Sequence, residues 1–484
     1  MIAMEAKRYE PVVLSNIARH PVWGRLDADM RRTIEVVGEV LPFKANNYVI
    51  GELIDWSRVP DDPIFQLTFP QRDMLEPEQF AAVERARREG DRGRLKAIVG
   101  AIRESLNPHP AGQATLNVPV VDGQPFHGAQ HKYSETLLFF PAAGQTCHAY
   151  CTFCFRWPQF VGTEQPKFGA KDDLLLRRYL AEHREVTDLL VTGGDPMVMR
   201  TEVLARYLEP ILEDPELEHV RTIRIGTKSL AYWPYRFTSD ADADDLLRLF
   251  ERIVASGRTL SVQAHVSHPV EFSTEAARQA IGRIRATGAM IRMQSPCIRR
   301  VNDDAEVWRT MWTEGVRLGC VPYYFFVERD TGAKRYFELP LVRCHEIFRD
   351  AYSSVSGLAR TVRGPSMSAT PGKVHILGRQ TVAGEDVFVL QYLQCRRPEL
   401  VRLPFFAKYS EGATWFDELE PAFPSDERFF PAFWPRGTMG PASGRSADGG
   451  VFVPLGIAAG QQVIADDAAD DAADLESDDC SSAA

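Results

Sequence analysis

The sequence lacks two features that would tie it to a membrane. No stretch approaches the ~20 consecutive apolar residues that a bilayer-spanning helix needs. The first residues, MIAMEAKRYEP, contain no apolar core of the kind found in secretory signals. We therefore expect a cytoplasmic protein with no membrane partner.

Positive charge is also scarce. The chain has 56 Lys and Arg against 66 Asp and Glu, which gives a formal net charge of −10. Eight of the acidic residues lie between Asp466 and Asp479, in a final segment without Lys or Arg, so the rest of the chain carries only −2. We find no basic stripe and expect no nucleic-acid partner. The acidic composition predicts a disordered tail over 456–484.

Cysteine is too sparse for a disulfide framework, since the 484 residues contain eight. Three of them are crowded in the motif Cys147-x3-Cys151-x2-Cys154, whereas the other five are far apart in the sequence. The scattered cysteines show no spacing typical of a second cluster. The crowded three are therefore the informative ones.

The pattern of apolar residues predicts an α/β fold. Residues 1–130 have the pattern of a mostly helical N-terminal extension, in which helical spacing over Glu76–Leu106 is broken near Gly90. From residue 131 onward, short apolar runs alternate with amphipathic helices, which is typical of parallel β/α units. We expect a partial (β/α)6-type parallel barrel over 131–380 and an irregular, strand-rich C-terminal extension over 381–455.

Six strands and six helices carry this prediction. The predicted strands are Thr136–Pro141, Asp188–Thr192, Thr222–Thr227, Thr259–Val266, Met290–Pro296 and Val321–Val327. The predicted helices are Lys171–Glu185, Thr201–Asp214, Asp242–Gly257, Ser273–Gly288, Asp304–Gly319 and Pro340–Val355. Ser273 and Asp304 are expected to cap helix starts, and the three glycines to end helices.

The crowded cysteines directly follow the first predicted strand. Thiolates are the usual ligands of iron–sulfur clusters. Three of them leave one iron of a [4Fe–4S] cluster free to bind S-adenosylmethionine (SAM), whose reductive cleavage releases a 5′-deoxyadenosyl radical. The alternative is a zinc site completed by His148 or a distant cysteine, which would fit a zinc-stabilised, non-enzymatic binding protein.

Further motifs follow the cysteines in a regular order. They are Leu190-Val-Thr-Gly193-Gly194-Asp195, Ile223-Arg-Ile-Gly-Thr227, His265-Val-Ser-His268-Pro269, Met293-Gln294-Ser295 and Pro322-Tyr323-Tyr324. From about residue 60 to 375 the chain resembles the lysine 2,3-aminomutase-like radical SAM enzymes, as a divergent member. The resemblance implies an isomerase that abstracts hydrogen from an amino-acid-like substrate and shifts its amino group by one carbon.

The resemblance also implies residues that contact SAM. Gly193, Gly194 and Asp195 match the strand-end motif that receives the SAM amino group, and a carboxylate there can pair with an ammonium. Arg156 matches the residue that pairs with the SAM carboxylate. Strand-end residues that line the SAM and substrate pocket are expected at two further positions, His265 and Gln294.

Family members also use pyridoxal phosphate (PLP), held on a lysine. Lys373, in Ser366-Met-Ser-Ala-Thr-Pro-Gly-Lys373, is the candidate for that lysine, and the alternative is a surface lysine in a turn. The arginines that clamp the PLP phosphate in the family are replaced by Lys132 and Thr136, and lysine lacks the bidentate fork of arginine. A PLP-independent rearrangement, epimerisation or dehydrogenation therefore stays open.

Substrate residues depart from the family pattern as well. Arg329 stands where lysine-specific members have an aspartate, shortly after Tyr324, and both residues are candidates for substrate binding. A cation there disfavours lysine as the substrate and suits an acidic or otherwise different amino acid. The alternative is that Arg329 merely pairs with a neighbouring acid. The expected partners are a small amino-acid-like molecule and a reducing flavodoxin or ferredoxin. A homo-oligomer is compatible with the sequence.

Overall fold

One large sheet organises the chain. The computed structural model describes residues 7–107, 116–162, 168–171 and 173–435. Within them, eleven strands form a single mixed sheet, and two further sheets have two strands each. The acidic tail predicted over 456–484 and the last twenty residues of the predicted C-terminal extension lie outside the described residues.

The strands of the described residues are β1 Pro11–Val13, β2 Lys44–Asn46, β3 Val120–Val121, β4 Gln124–Pro125, β5 Ala129–Tyr133, β6 Thr136–Phe139, β7 Asp188–Val191, β8 Thr222–Thr227, β9 Thr259–His265, β10 Met290–Cys297, β11 Cys320–Val327, β12 Arg363–Ser368, β13 Gly372–Val382, β14 Glu385–Cys395 and β15 Pro404–Lys408. The α-helices are α1 Ala28–Val40, α2 Pro63–Thr68, α3 Pro77–Glu89, α4 Arg92–Ser105, α5 Asp173–Glu182, α6 Thr201–Glu213, α7 Ser229–Tyr232, α8 Ala243–Ala255, α9 Glu275–Ala286, α10 Ala305–Leu318, α11 Lys334–Phe337 and α12 Leu341–Ser353.

The large sheet follows the chain order from β5 to β15. Its neighbours from β6 to β12 are parallel, and the remaining pairs, β5 with β6 and β12 through β15, are antiparallel. Parallel neighbours need crossover connections, and helices supply them between the successive parallel strands. The fold is therefore mixed α/β with a mostly parallel sheet.

The six predicted strands are confirmed as β6 to β11, with ends that agree within two residues. The six predicted helices are confirmed as α5, α6, α8, α9, α10 and α12. Asp304 caps α10 as predicted, because its carboxylate accepts a hydrogen bond of 2.8 Å from the Glu306 N–H. The cap predicted at Ser273 is wrong by one residue. Thr274 Oγ1 accepts the hydrogen bond there, from the Ala277 N–H at 3.1 Å.

A seventh parallel strand, β12, was not predicted. Its sequence, Arg-Gly-Pro-Ser-Met-Ser, has neither an apolar run nor a period of two. It leads into β13, and the boundary expected at residue 380 falls inside that strand. The strands β13, β14 and β15 continue the sheet, and their apolar side chains belong to the same core as those of β6 to β11.

The sheet is strongly curved. Lys132 on β5 donates a hydrogen bond of 2.6 Å from Nζ to the carbonyl oxygen of Ala369, which follows β12. These two strands are separated by six others in the hydrogen-bonded order. The strand β5 therefore approaches the end of β12 across six intervening strands.

The N-terminal region covers the loop that carries the crowded cysteines. Helices α1, α3 and α4 pack together, as the helical pattern predicted, but this region also contains the short sheet of β1 and β2. Its buried side chains share one core with Phe153 and Trp157 of the cysteine loop. Among the described residues, no helix combines the length and apolarity needed to cross a bilayer.

Candidate active site

The cysteine loop packs directly against the glycines that follow β7. A Cβ atom on Gly194 would lie 2.4 Å from the carbonyl oxygen and 2.6 Å from the nitrogen of Thr146, next to Cys147. A Cβ atom on Gly193 would lie 2.6 Å from Gln145 Nε2. The contacts at Gly194 are with backbone atoms and are shorter than van der Waals contact permits, so this glycine is needed for the close approach of two backbones. The contact at Gly193 is with the end of a flexible side chain.

The N-terminal region fixes the other side of the loop through its backbone. The Tyr150 N–H donates to the carbonyl oxygen of Lys44 at 2.8 Å, and the Thr152 N–H donates to that of Leu67 at 2.9 Å. Lys44 Nζ in turn donates to the carbonyl oxygen of Cys147 at 2.7 Å. The positions of the three thiols are therefore set from both sides.

The thiols of Cys147, Cys151 and Cys154 are free and partly buried. Burial raises the pKa of Cys147 well above its ordinary value, and the nearby Asp195, Cys154 and Cys151 raise it further. No group of three His, Cys, Asp or Glu side chains within the described ranges is arranged around a single metal ion. In a cubane cluster each thiolate binds a different iron, so the three thiols do not need to converge on a single ion. Three cysteine thiols are the ligands that such a cluster uses.

One phenol lies beside these thiols. Tyr232 is buried, and its hydroxyl is 3.7 Å from Cys151 Sγ, which is within the range of hydrogen bonds to sulfur. The Lys228 Nζ lies 4.5 Å from the centre of the same ring. The sequence motifs gave no signal for Tyr232, because it reaches the thiols from the short helix after β8.

The Asp195 carboxylate is fully occupied by protein donors. It accepts hydrogen bonds of 2.9 Å from the Met197 and Lys228 N–H groups, 2.7 Å from Thr227 Oγ1 and 2.9 Å from Ser229 Oγ. Two carboxylate oxygens offer about four lone-pair sites. Asp195 therefore holds the loops after β7 and β8 together, and a direct contact with the SAM ammonium stays a prediction.

The same network reaches the cysteine loop. Ser229 Oγ is 2.8 Å from Nδ1 of His148, the residue between Cys147 and Ala149. Because that hydroxyl gives its proton to Asp195, His148 carries its own proton on Nδ1. Burial lowers the pKa of His148 to about 3, so the ring is neutral. His148, which the zinc alternative offered as a metal ligand, thus belongs to a protein hydrogen-bond chain.

Arg156 is buried with an unused donor. The side chain is 8% exposed, its Cζ lies 4.1 Å from the centre of the Phe140 ring, and Nη1 has no hydrogen-bond partner among the described residues. A buried donor without a partner is costly, so its presence points to an acceptor that the protein does not supply. A carboxylate has the matching charge and geometry.

Three predicted residues lie side by side on neighbouring strands. Gln294 on β10 is in register with His265 on β9 and with Tyr324 on β11. His265 stacks on Phe153 of the cysteine loop with ring centres 5.8 Å apart, and its Nδ1 is buried without a partner among the described residues. Burial and the nearby Lys228 lower the pKa of His265 well below its ordinary value. A neutral imidazole with a free nitrogen therefore faces the space beside the cysteine loop.

Lys228 organises this row, although the sequence patterns did not single it out. Its Nζ donates to Glu271 Oε1 at 2.7 Å, to Ser267 Oγ at 3.4 Å and to the carbonyl oxygen of His265 at 3.3 Å. Glu271 is 1% exposed, and a buried pair of this kind depends on both charges being present. The pair ties the ends of β8 and β9 together.

Lys373 lies in strand β13, so the alternative of a surface lysine in a turn is wrong. Its Nζ is 4.1 Å from the centre of the Tyr324 ring and 5.8 Å from that of Phe326. Burial lowers the pKa of Lys373 to about 7, and the neighbouring Arg224 and Arg363 contribute to the shift. A lysine with so low a pKa has a large neutral fraction near pH 7 and can act as a nucleophile.

Comparison with known proteins decides the family. A protein from Aquifex aeolicus with the name "Putative L-lysine 2,3-aminomutase" is 32% identical over 389 residues, which cover 80% of this chain and 90% of the relative. The chain belongs to the lysine 2,3-aminomutase family. It is a divergent member and an enzyme, an aminomutase-like isomerase, so the reading as a non-enzymatic zinc protein is wrong. No family model matches the chain.

Two further relatives of this chain are less similar to it. The L-lysine 2,3-aminomutase of Haemophilus influenzae is 28% identical over 240 residues, which cover 48% of this chain and 66% of the relative. The glutamate 2,3-aminomutase of Clostridioides difficile is 25% identical over 250 residues, which cover 51% of this chain and 55% of the relative. The relatives therefore include aminomutases named for a basic and for an acidic amino acid.

Several basic side chains lie close together around Lys132. Arg329, Arg396 and Lys373 all lie near Lys132 and, together with burial, hold its pKa well below the ordinary value. Arg329 donates from Nη1 to the carbonyl oxygen of Ser368 at 3.0 Å, and it also lies near Arg156. Arg396 is 2% exposed and was not predicted as a site residue. Arg329 also pairs with Asp330 at 3.4 Å, so part of this positive charge is balanced within the protein.

Proposed function

We propose that the protein is a radical SAM aminomutase that acts on an amino acid with an additional anionic group. The observation that carries this proposal is the continuity of the site. Arg156, with its unpartnered donor, lies two residues after Cys154, and Phe153 of the same loop stacks on His265. Gln294 is in register with both His265 and Tyr324, and the Tyr324 ring contacts Lys373. The strongly curved sheet supports the partial barrel as part of the proposal.

Cys147, Cys151 and Cys154 would hold a [4Fe–4S] cluster, and SAM would bind at its free iron. When bound, these two groups supply the 5′-deoxyadenosyl radical that abstracts hydrogen from the substrate. Arg156 would bind the SAM carboxylate through its unused Nη1, and His265 and Gln294 would line the SAM and substrate pocket. The packing of Phe153 on His265 keeps water from this side of the cysteines.

Lys373 would hold PLP. Its low pKa makes the neutral amine available near pH 7, as attachment to the PLP aldehyde would require. When bound, PLP delocalises electrons at the nitrogen that migrates. Tyr324 keeps the lysine in place because its ring packs against Nζ.

The substrate class follows from charge. Arg329 occupies the position where lysine-specific members have an aspartate. It pairs with Asp330 at 3.4 Å, and it also lies near Arg156 and Lys132. A distal ammonium there would be repelled, whereas a distal carboxylate would be attracted. The glutamate 2,3-aminomutase among the relatives supports an acidic substrate within this family.

A screen of amino acids under anaerobic conditions tests the proposal. Reconstituted protein, SAM and a reduced flavodoxin or ferredoxin are combined with each amino acid, and substrate-dependent 5′-deoxyadenosine is measured. We expect the largest increase with acidic amino acids, and Arg329→Asp should shift the preference towards basic ones. Equal, substrate-independent SAM cleavage with every amino acid would contradict the proposal.

A second candidate is supported by one observation. Lys132 donates to the Ala369 carbonyl oxygen, and Thr136 Oγ1 donates to Asp188 Oδ2 at 3.1 Å, so the positions of the family's phosphate-binding arginines are engaged by the protein. This arrangement favours a PLP-independent radical SAM rearrangement, epimerisation or dehydrogenation. Incubation with PLP, borohydride reduction and peptide mass spectrometry separate the two candidates. Modification of Lys373 supports the first, and unmodified protein supports the second.

A further inference from the structure

Arg363, the first residue of β12, contacts aromatic rings but no acidic side chain of the described residues. Its Cζ lies 4.5 Å from the centre of the Tyr323 ring and 4.4 Å from that of Tyr324. No hydrogen bond or ion pair of its guanidinium is formed with the rest of the described chain. The side chain is partly buried, so the aromatic rings replace much of its water. A guanidinium held in this way lacks the anion that would normally balance it.

Arg363 and Lys373 face the same ring. The amino group of Lys373 is 4.1 Å from the centre of the Tyr324 ring, and the charge of Arg363 is close enough to help lower the pKa of Lys373. Arg224 on β8 is the third cation near Lys373, but its Nε already donates to Asp188 Oδ1 at 2.8 Å. Of the two arginines near Lys373, Arg363 is the one whose donors make no hydrogen bond within the described residues.

The charge at this point of the interior is unbalanced. Asp188 pairs with Arg224 and also accepts the Thr136 hydroxyl, so its oxygens are committed. No acidic group among the described residues forms an ion pair with Arg363. An unpaired, partly buried cation is stabilised by a bound anion. Because Lys373 lies on the same ring, a molecule attached to Lys373 can present that anion.

We infer that Arg363 binds the phosphate group of the cofactor attached to Lys373, in place of the arginines that this chain lacks before its cysteines. The inference rests on the proposed function, because it requires PLP on Lys373. It adds a phosphate-binding residue on β12, whereas Lys132 and Thr136 lie on β5 and β6. Guanidinium and phosphate form paired, charge-assisted hydrogen bonds, for which Arg363 has all its N–H groups free of protein acceptors.

Two aldehydes that differ only in the phosphate test the inference. PLP and pyridoxal are each titrated into the full-length wild-type protein and into Arg363→Met, and binding is followed by the visible absorbance that attached cofactor acquires. We expect Arg363→Met to weaken PLP binding by about 10- to 100-fold and to leave pyridoxal binding unchanged. Circular dichroism checks that the variant keeps its fold.

Arg292→Met is the matched control. Arg292 also lies over the Tyr323 ring, with Cζ 5.1 Å from the ring centre, but its Nη2 donates to the Pro322 carbonyl oxygen at 2.9 Å. This variant should bind PLP like the wild type. Equal PLP binding by wild type and Arg363→Met, or equal losses for PLP and pyridoxal, would overturn the inference alone. If wild-type protein attaches neither aldehyde, the PLP part of the proposed function fails and the inference fails with it.

Discussion

Lys373 extends its amino group over the ring of Tyr324, with Nζ 4.1 Å from the ring centre. An ammonium at this place keeps a favourable contact with the ring, yet burial lowers its pKa from 10.5 to about 7. The folded protein therefore binds fewer protons than the unfolded chain between these two pH values. Titration of Lys373 therefore raises the free energy of unfolding as pH rises from about 7 to 10.5. The same free energy falls when the pH is lowered through this range.

Lys373→Met should accordingly stabilise the apoprotein most at low pH. We expect the free energy of unfolding to rise by on the order of 3 kcal/mol near pH 6 and the difference from wild type to vanish near pH 10.5. Urea unfolding across this pH range measures it. Lys96→Met, at an exposed position of α4, is the control and should show no such pH dependence. A difference for Lys373→Met that does not change with pH would contradict the prediction.

Gly194→Ala should displace the cysteine loop. The added Cβ would overlap the Thr146 backbone, which cannot move as a flexible side chain can. We expect the free energy of unfolding to fall by about 1–3 kcal/mol or more and iron uptake during reconstitution to be reduced. Gly100→Ala in α4, where no other atom lies within 4 Å of the new Cβ, should instead be neutral or stabilising. Normal iron content in Gly194→Ala would refute the role assigned to this glycine.

Arg156→Met should weaken SAM binding without loss of the cluster. The substituted side chain keeps the contact with Phe140 but removes the unpartnered Nη1 donor. Equilibrium dialysis with labelled SAM should show affinity lower by about 10- to 100-fold at unchanged iron and sulfide content. Arg72→Met provides the comparison, because Arg72 also stacks on a phenylalanine ring, at 4.2 Å from the centre of Phe80. Unchanged SAM affinity in Arg156→Met would exclude the proposed carboxylate contact.

Tyr232→Phe should lower the reduction potential of the cluster. A cluster thiolate carries no proton, so the Tyr232 hydroxyl would donate to Cys151 Sγ across the observed 3.7 Å. Hydrogen bonds to cluster sulfurs stabilise the more negative, reduced state. Redox titration followed by electron paramagnetic resonance measures the potential. Tyr235→Phe, whose hydroxyl donates to Glu52 Oε1 at 3.1 Å, should leave it unchanged, and identical potentials for the two variants would disprove the effect.

The sequence predicted the strands that have strong local patterns. The strands β6 to β11 are apolar runs followed by turns or caps, and their order along the chain dictates parallel pairing. The strand β12 escaped notice because glycine, proline and serine make up most of it. The β13–β14 hairpin turns at Ala383-Gly384, both with positive φ, and alanine gives no signal for such a turn.

The site residues also fall into those with a local sequence pattern and those that only tertiary contacts reveal. The three cysteines are close in sequence, so their spacing identified them, whereas the glycine pair was identified through the family resemblance of its motif. Arg363, Lys228 and Tyr232 act through contacts between strands and loops that are far apart in the chain. Asp195 was identified by its motif, but only the packing reveals that four protein donors occupy its carboxylate.

The backbone hydrogen bonds from Tyr150 to Lys44 and from Thr152 to Leu67 limit how the gene can be divided. A recombinant fragment that begins at residue 131 would contain every predicted strand of the barrel, yet it would leave these donors unpaired and expose Phe153 and Trp157. Domain exchange among relatives therefore has to carry residues 7–107 together with the cysteine motif. In this enzyme the N-terminal region and the cysteine loop form one packing unit.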